Sequence, residues 1–215
     1  MTDSEQIAFF GGSFDPPHLG HLAVAEAALR AGVCGHVAWV PAYAPPHKRG
    51  VKAAFADRVA MVEATIAGHD AMSVNRIEAE LQFNPSYTIE ILEAWEKRFG
   101  DVPALLIGAD SLRELHTWHR AAELAKRFRI ISYPRNGCRI TAAELALHWP
   151  DPTAEKLFAG VLAGDFFEIS SSELKNRMEK FTEAGDIIHL KDCLAPGVCD
   201  YIVEHGLYIG GDEQR

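Results

Sequence analysis

The stretch FFGGSFDPPHLGHL near the N-terminus combines residue types that can hold a phosphate group. Gly11 and Gly12 have no Cβ, so the backbone there can approach a bulky anion closely, and the Ser13 hydroxyl adds a hydrogen-bond donor. His18 and His21 lie where a helix is expected to begin, and the first N–H groups of a helix attract anions. Imidazole donors at this point can neutralise charge that builds up on a phosphoryl group without any protein nucleophile. The stretch therefore predicts a phosphate-binding turn.

Two other interpretations of these residues stay open at this stage. In the first, Pro16, Pro17 and Gly20 only shape a tight turn that the histidines cap. The second is a metal site with the ligands Asp15, His18, His21 and His47. The place of the motif between an apolar run and a helical pattern favours phosphate binding, because phosphate-binding glycine loops occupy that place. Neither GxxxxGK[ST] nor GxGxxG occurs there, so the turn is of another kind.

Short apolar runs alternate with helical patterns along the chain. The runs predict buried strands over residues 7–10, 36–40, 71–74, 104–108, 128–132 and 165–169. They lack polar alternation, which is typical of a parallel sheet covered on both faces. Apolar residues at helical spacing predict helices within 19–32, 55–68 and 86–100, each ending in glycine. This order predicts an open, doubly wound, Rossmann-like α/β sheet, which binds ligands beyond the carboxyl ends of its strands at the topological switch point.

The chain is expected to form a single domain over residues 1–215. Residues 1–168 would be the Rossmann-like core, and residues 169–215 a small helical C-terminal annex that completes the phosphate site. The stretch from 138 to 164 is expected to be helical and is the hardest to place. The segments ISSSELKNRMEKF and APGVCDYIVEHGLY predict two helices, and Pro196 suits the first turn of the second.

Composition argues against several classes of protein. A net charge of −9 argues against broad contact with nucleic acid. The four cysteines form no CxxC pair, which argues against a structural zinc site and a disulfide framework. No run approaches the roughly eighteen apolar residues of a membrane span, and MTDSEQ lacks the features of a signal peptide. We expect a cytoplasmic protein without a membrane partner, and the oligomeric state stays open, with a homodimer as one alternative.

Further short motifs occur in an order that carries a family resemblance. They are PPHK (45–48), the helix at Arg58–Met61, PSYT (85–88), IGADSL (107–112), PRNG (134–137), ISSSELK (169–175) and the closing YIVEHGLY. Together with GGSFDPPHLGH they resemble bacterial nicotinate-nucleotide adenylyltransferases, which belong to the nucleotidyltransferase superfamily with an (H/T)xGH signature. The resemblance runs from Phe9 to Tyr208. It implies transfer of the adenylyl group of ATP to nicotinate mononucleotide, which gives nicotinate adenine dinucleotide and pyrophosphate in NAD biosynthesis.

The resemblance also implies how ATP is held. In this family the substrate phosphate attacks the α-phosphorus of ATP directly, so His18 and His21 would be the catalytic residues. The ATP- and phosphate-binding residues would be Gly11, Gly12, Ser13, Phe14, Lys48, Ser170, Ser171, Lys175 and Arg177. One of the serines at 170–172 would cap the following helix. The family usually has arginine where this chain has Lys175, so either Lys175 acts as a point charge or Arg177 takes the role. Mg²⁺ is expected to arrive with ATP, since it often binds chiefly through substrate phosphates.

The mononucleotide would occupy a second group of residues that the resemblance implies, namely Tyr87, Thr88, Asp110, Trp118, His119 and Arg135. Asp110 would contact sugar hydroxyls, cap the next helix, or both. Trp118 would stack on the pyridine ring, although tryptophan is more often simple core. The helix after Pro85, capped by Asn84 or Ser86, would offer its first N–H groups to the carboxylate of the ligand.

Other functions also stay open at this stage. Within the enzymes, the chain could prefer nicotinamide mononucleotide or phosphopantetheine as the acceptor. A nucleotide-sensing protein would keep the pocket and transfer nothing, but the intact HxGH and ISSS motifs count against it. A metal hydrolase is the third alternative, and bound zinc or iron after purification would identify it.

Overall fold

The central sheet of the protein is parallel throughout and has five strands. A computed structural model describes residues 6–43, 51–83, 85–134, 138–164, 169–181 and 184–208. The strands are β1 (Ile7–Gly12), β2 (His36–Pro41), β3 (Met72–Val74), β4 (Ala104–Gly108) and β5 (Ile130–Tyr133). Their order is β3-β2-β1-β4-β5, so the strand order reverses between β1 and β4. The predicted Rossmann-like sheet is confirmed, and its switch point lies beside the end of β1.

Helices connect and flank these strands. They are α1 (Leu19–Arg30), α2 (Phe55–Thr65), α3 (Ile77–Leu81), α4 (Thr88–Phe99), α5 (Ala109–Glu114), α6 (Ala121–Arg127), α7 (Ala142–Ala146), α8 (Asp151–Ala159), α9 (Ser171–Met178) and α10 (Pro196–His205). Two 3-10 helices span Leu115–Thr117 and Ala184–Leu190. The predicted helical character of 138–164 is confirmed by α7 and α8, and Pro196 begins α10 as predicted. Within the described ranges, no helix has both the length and the apolar character that a membrane crossing needs.

Two predicted strand positions differ from the structure. β5 begins at Ile130, because Phe128 still belongs to the end of α6 as its C-cap. Of the strand predicted at 165–169, residues 165–168 lie outside the described residues, and Ile169 belongs to no strand.

The start of α4 also differs from the prediction. The helix begins at Thr88 with Tyr87 at the N-cap, and no side chain caps it. Ser86 was an expected cap, but its hydroxyl donates a hydrogen bond to the Phe83 carbonyl at 3.1 Å. The other expected cap, Asn84, lies outside the described residues. The chain therefore stays extended through Tyr87 and enters the helix later than the PSYT motif suggested.

Both faces of the sheet are covered, as the unbroken apolar runs indicated. Phe9 of β1 packs on one face against Trp95, with ring centroids 5.9 Å apart. Phe10 packs on the other face against Trp39, with ring centroids 5.0 Å apart. A third cluster joins the C-terminal elements to α2, and it includes Met61, Leu174, Met178, Val198 and Ile202. The annex therefore packs on α2, which places α9 next to the turn between β1 and α1.

Among the glycines that the structure describes, Gly160 has the least space for a side chain. A Cβ there would meet the Ile130 carbonyl oxygen well inside van der Waals contact, and that oxygen belongs to the backbone of β5. The Gly160 carbonyl also accepts the Ser132 N–H at 2.9 Å, which fixes the two segments together. We expect Gly160→Ala to lower the free energy of unfolding by about 1–3 kcal/mol, as overpacking does. Urea denaturation measures this change.

Gly185 provides the matched control for that substitution. A Cβ on Gly185 would meet no atom within 4 Å, so Gly185→Ala should change the free energy of unfolding by no more than about 0.5 kcal/mol. Equal losses in the two variants would show that the contact between Gly160 and Ile130 does not limit the packing.

Candidate active site

The two histidines of the N-terminal motif form one unit at the start of α1. His18 is the N-cap residue, with an extended backbone at φ −147° and ψ 167°. Its N–H donates to Nδ1 of His21 at 3.2 Å, and the two ring centroids are 3.7 Å apart. Because Nδ1 of His21 accepts this bond, a neutral His21 ring carries its proton on Nε2. The turn therefore orients the His21 donor through the backbone of its partner histidine.

Gly20 explains why the two histidines have a glycine between them. A Cβ on Gly20 would lie 3.0 and 3.1 Å from two atoms of the His18 ring. Contacts this short are tighter than ordinary packing allows, so a larger residue would push the ring away. His18 itself is 3% exposed, which leaves its ring little room to move elsewhere. The glycine of the HxGH motif is thus required for the packing of the His18 ring at this turn.

The Phe14 ring packs against the His21 ring and so supports this turn. The Phe14 side chain is 1% exposed, and its ring lies 5.1 Å from the His21 ring in a T-shaped contact. A Cβ on Gly12 would meet the Phe14 ring at 2.9 Å, so the glycine makes room for the phenyl group. Phe14 has φ +47°, a left-handed conformation that bulky residues rarely adopt. The buried ring leaves the backbone of Phe14 to reach a ligand, and the assignment of Phe14 to the phosphate-binding residues stays a prediction.

Arg58 fixes the same loop from α2. Its guanidinium donates to the Ser13 carbonyl and to the Ala42 carbonyl, both at 2.7 Å. The side chain is 2% exposed, and this burial lowers the pKa of Arg58 from its ordinary value. The arginine thus ties the loop after β1 to the chain just after β2, and it holds Ser13 at the carboxyl edge of the sheet.

Asp15 lies in the same loop and accepts four hydrogen bonds. Oδ1 accepts from the Tyr208 hydroxyl at 2.7 Å and from the Ala53 N–H at 3.1 Å. Oδ2 accepts from Lys175 Nζ at 2.8 Å and from the Lys52 N–H at 3.0 Å. Burial alone would raise the pKa of Asp15, but these hydrogen bonds, that of Lys175 first, bring it below the ordinary value. Burial next to Asp15 raises the pKa of Tyr208, so a carboxylate and a protonated phenol face each other at neutral pH.

The serine-rich motif brings α9 to the same place. Ser170 is the N-cap of α9, and its Oγ accepts the Glu173 N–H at 3.1 Å, which confirms the predicted serine cap. Ser171 Oγ donates to the Pro16 carbonyl at 2.9 Å and so fixes the start of α9 against the first loop. Since the N-terminus of α9 and the N-terminus of α1 both meet this loop, two sets of helix N–H groups border one region.

The structure separates the two cations that the sequence offered for the outer phosphates. Lys175 turns toward the first loop, where it binds Asp15. Arg177 turns toward the 3-10 helix Ala184–Leu190, and its guanidinium donates to the His189 carbonyl at 3.2 Å. The geometry therefore favours Lys175 over Arg177 as the cation beside the loop that carries the histidine pair.

A pocket of about 660 Å³ gathers residues that the sequence assigned to the mononucleotide. It is lined by Ser86, Tyr87, Thr88, Glu114, Thr117, Trp118 and His119. The Tyr87 and His119 rings stack with centroids 4.2 Å apart, so they form one aromatic wall. Trp118 is half-buried and lines the pocket while it also packs against the core. It is therefore both a core residue and a candidate ring platform.

Asp110 lies at the carboxyl end of β4, next to the switch point. It occupies the second position of α5, because the helix starts at Ala109 directly after the strand. The N-cap of α5 is Gly108, so the expectation that Asp110 caps this helix is wrong. Asp110 is exposed, and a Cβ on Gly108 would collide with its Oδ1, so the carboxylate lies over the end of β4.

Three residues of the sequence-based hypotheses, His47, Lys48 and Arg135, lie outside the described residues. In the ranges that are described, no group of three or more histidine, cysteine, aspartate or glutamate side chains is arranged to hold a metal ion. The metal-site alternative also needs Asp15 as a ligand, yet Asp15 already accepts four hydrogen bonds, one of them from an ammonium group. A carboxylate so occupied is a poor metal ligand.

Sequence reasoning missed the roles of Arg58 and Tyr208, and it considered Asp15 only as a metal ligand. Arg58 carried a usable signal, since it is a lone cation among the apolar residues of FADRVAMV. A charged residue at a core position must be hydrogen-bonded, which would have indicated a structural role. Tyr208 carried no such signal, because its partner is 193 residues away along the chain.

Comparisons with known proteins place this chain among relatives that match it over most of its length. The model of the family described as "Cytidylyltransferase-like" matches residues 9–177. A protein of Synechococcus sp. (strain JA-3-3Ab) named "Probable nicotinate-nucleotide adenylyltransferase" is 36% identical over 207 residues, which cover 95% of each chain. A protein of the same name from Salinibacter ruber is 36% identical over 205 residues, which cover 94% of this chain and 97% of its own.

The fold has solved counterparts as well. The structure of Plasmodium falciparum nicotinic acid mononucleotide adenylyltransferase complexed with NaAD superposes with a TM-score of 0.73. That match covers 95% of this chain and 97% of the other at 19% identity, so it supports the fold alone. The family model and the full-length relatives carry the assignment. This chain belongs to the cytidylyltransferase-like family and, within it, to the nicotinate-nucleotide adenylyltransferases.

Proposed function

We propose that the protein transfers the adenylyl group of ATP to nicotinate mononucleotide and releases pyrophosphate, as a step of NAD biosynthesis. The observation that carries this proposal is the position of the paired histidines. They lie at the switch point of the sheet, and the start of α9 borders the same loop. Relatives that match nearly the whole chain bear the name of this activity.

The proposed reaction is an in-line attack by the phosphate of the mononucleotide on the α-phosphorus of ATP. No enzyme nucleophile takes part, so the protein acts by alignment and by stabilising charge around the transferring group. The donors for this charge would be the side chains of His18 and His21 together with the Gly20 N–H of α1, because the Leu19 and His21 N–H groups already donate to the Cys193 and His18 carbonyls. Gly11 and Gly12 have no Cβ, so the backbone there could approach the phosphates.

The outer phosphates of ATP would lie against α9. Its N-terminus and the Lys175 ammonium both border the histidine turn, and both favour an anion. Lys48 belongs to the same proposal, although it lies outside the described residues. We propose that Mg²⁺ enters with ATP and is held chiefly by its phosphates, because Asp15, the carboxylate nearest the histidines in sequence, has its acceptor positions filled.

The base and the pyridine ring would occupy two pockets beyond the ends of β4 and β5. One pocket of about 440 Å³ is lined mainly by apolar side chains, among them Ala109, Ile140, Phe158 and Leu162. Such a lining suits a flat heterocycle, and we propose that it takes the adenine. The pocket with Trp118 and His119 would take the pyridine ring, with Asp110 at the sugar hydroxyls. Arg135 belongs to the same proposal, although it lies outside the described residues.

The proposal is tested by pyrophosphate release. The purified protein is incubated with ATP and, in separate reactions, with nicotinate mononucleotide, nicotinamide mononucleotide and phosphopantetheine. Rapid release with the first acceptor supports the proposal. Binding of ATP without release for any acceptor would identify a nucleotide-sensing protein and overturn it. The nucleotide substrates further lead us to place the protein in the cytoplasm, and the homodimer stays a prediction.

Lys175→Ala is expected to raise the KM for ATP and to leave the KM for the mononucleotide nearly unchanged. Loss of a charged contact to phosphate should raise the KM for ATP by about tenfold or more. Arg177→Ala is the matched control, since Arg177 is bound to the His189 carbonyl away from the turn. Steady-state kinetics of both variants decide the assignment. A high KM for ATP in Arg177→Ala together with a normal Lys175→Ala would move the role to Arg177.

A further inference from the structure

Asp15 connects four segments of the chain that are far apart in sequence. Besides its own loop, which carries His18, its carboxylate binds the chain before α2, the helix α9 and the C-terminal Tyr208. Each oxygen accepts one side-chain donor and one backbone donor, which satisfies the acceptor capacity of a carboxylate. Because Asp15 is 2% exposed, bulk water cannot replace a donor that is lost. The loss of any one donor should therefore change the orientation of the Asp15 carboxylate.

Lys175 is the donor through which Asp15 can affect a ligand. A lysine ammonium is a compact point charge on a flexible stem, so it needs an acceptor to fix its position. Asp15 provides that acceptor at Oδ2, and the side chain of Lys175 is 16% exposed, so its flexibility is restricted. The position of the carboxylate thus determines the position of the Lys175 ammonium beside the histidine turn.

Tyr208 determines the position of the carboxylate in turn. Its hydroxyl forms the shortest of the four bonds, 2.7 Å to Oδ1, on the oxygen that Lys175 does not contact. The backbone of Tyr208 is in the left-handed region, with φ +64°, and the residue is 8% exposed. Such a conformation in a bulky residue costs free energy and persists only where the surroundings enforce it. Tyr208 also lies well beyond residue 177, where the family match ends.

We propose that Tyr208 and Asp15 are positioning residues for adenylyl transfer, in which the Tyr208 hydroxyl orients the Asp15 carboxylate and Asp15 holds Lys175 beside the histidine turn. Neither residue contacts substrate in this proposal. Both act through Lys175, and the kinetic part of the proposal rests on the proposed function, since it takes the ATP phosphates as the ligand of Lys175. The C-terminal annex thereby becomes part of the catalytic centre.

The decisive variant is Tyr208→Phe, which removes one hydroxyl and keeps the ring. We expect the KM for ATP to rise by about three- to tenfold, the value of one hydrogen bond, and the KM for the mononucleotide to stay at its wild-type value. Tyr201→Phe is the matched control, because the Tyr201 hydroxyl makes the same kind of bond, 3.0 Å to Asp57, and so joins α10 to α2. It should leave both KM values unchanged. Thermal unfolding of both variants shows whether each is folded.

A second readout does not depend on activity. An amine-acylating reagent is applied to the folded protein, and labelling of Lys175 is compared with that of the exposed Lys180 by peptide mass spectrometry. We expect Lys175 to be labelled faster in Tyr208→Phe and in Asp15→Asn than in wild type, and at the wild-type rate in Tyr201→Phe. Unchanged labelling of Lys175 in Tyr208→Phe, or an equal KM for ATP in both tyrosine variants, would overturn the positioning role. Absence of pyrophosphate release by the wild type would contradict the proposed function instead, and the labelling would still decide the positioning.

Discussion

His21→Ala is expected to lower kcat by about a hundred- to a thousand-fold and to change the KM for ATP little. The His21 ring is held by the His18 N–H on Nδ1 and by the Phe14 ring at its side, so its Nε2 donor is preorganised. A donor that acts mainly on charge developing in the transition state affects kcat more than binding. Alanine removes this donor without filling its place. Steady-state pyrophosphate release at saturating ATP measures the loss.

His205→Ala serves as the control for that experiment, because His205 is an exposed residue at the end of α10. It should turn over like the wild type. His18→Ala should cost as much as His21→Ala or somewhat less, and it should also destabilise the fold, since the buried His18 ring packs on Gly20. Near wild-type turnover in a folded His21→Ala would show that the pair is only structural, and the proposed mechanism would fail.

The enzyme is expected to prefer nicotinate mononucleotide over the amide by about ten- to a hundred-fold in kcat/KM. The first N–H groups of α4, at Thr88 and Ile89, have no partner within the helix itself, and Thr88 lines the pocket with Trp118. A carboxylate accepts charge-assisted bonds from such donors, whereas the NH₂ group of an amide would face them with no acceptor to meet it. Initial rates at low concentrations of each mononucleotide give the ratio. Equal values, or a preference for the amide, would contradict this prediction.

Two acidic residues, Glu114 and Glu90, lie close to this pocket. Glu114 lines the pocket, and Glu90 in the first turn of α4 lies 3.8 Å from His119, so the local field is not uniformly positive. The preference must therefore come from directed N–H donors rather than from net charge. The Thr88 N–H is therefore the group to remove in a test of the acid preference.

Thr88→Pro is the variant that removes one such donor and spares the helix. Thr88 is the first residue of α4, a position where proline is well tolerated. Tyr87 before it already has φ −89° and ψ 128°, the extended conformation that a following proline requires. We expect the acid preference to fall toward unity while α4 stays intact. Trp118→Ala should instead weaken both mononucleotides alike, because both present similar ring faces.

The sequence alone determined the fold class and the place of the histidine turn between β1 and α1. Apolar runs without alternation encode strands that are buried on both faces, and this is a local property of each segment. The glycines and histidines of the first motif likewise lie within one turn, so their proximity could be predicted from their spacing, and their roles toward phosphate stay a prediction. The serine cap of α9 at Ser170 was predictable for the same reason, since a cap concerns only a helix and the residue before it.

Only the tertiary structure decided which distant groups meet at that turn. The partners of Asp15 are separated from it by 37 to 193 residues, and no local pattern encodes such pairs. That Lys175 and not Arg177 reaches Asp15 depended on how α9 packs in the C-terminal cluster, because two residues on one helix point in directions set by that packing. Burial likewise decided that the Phe14 ring packs against His21. Spacing along the chain determines which residues share a turn. The packing of separate segments determines which side chains become hydrogen-bond partners.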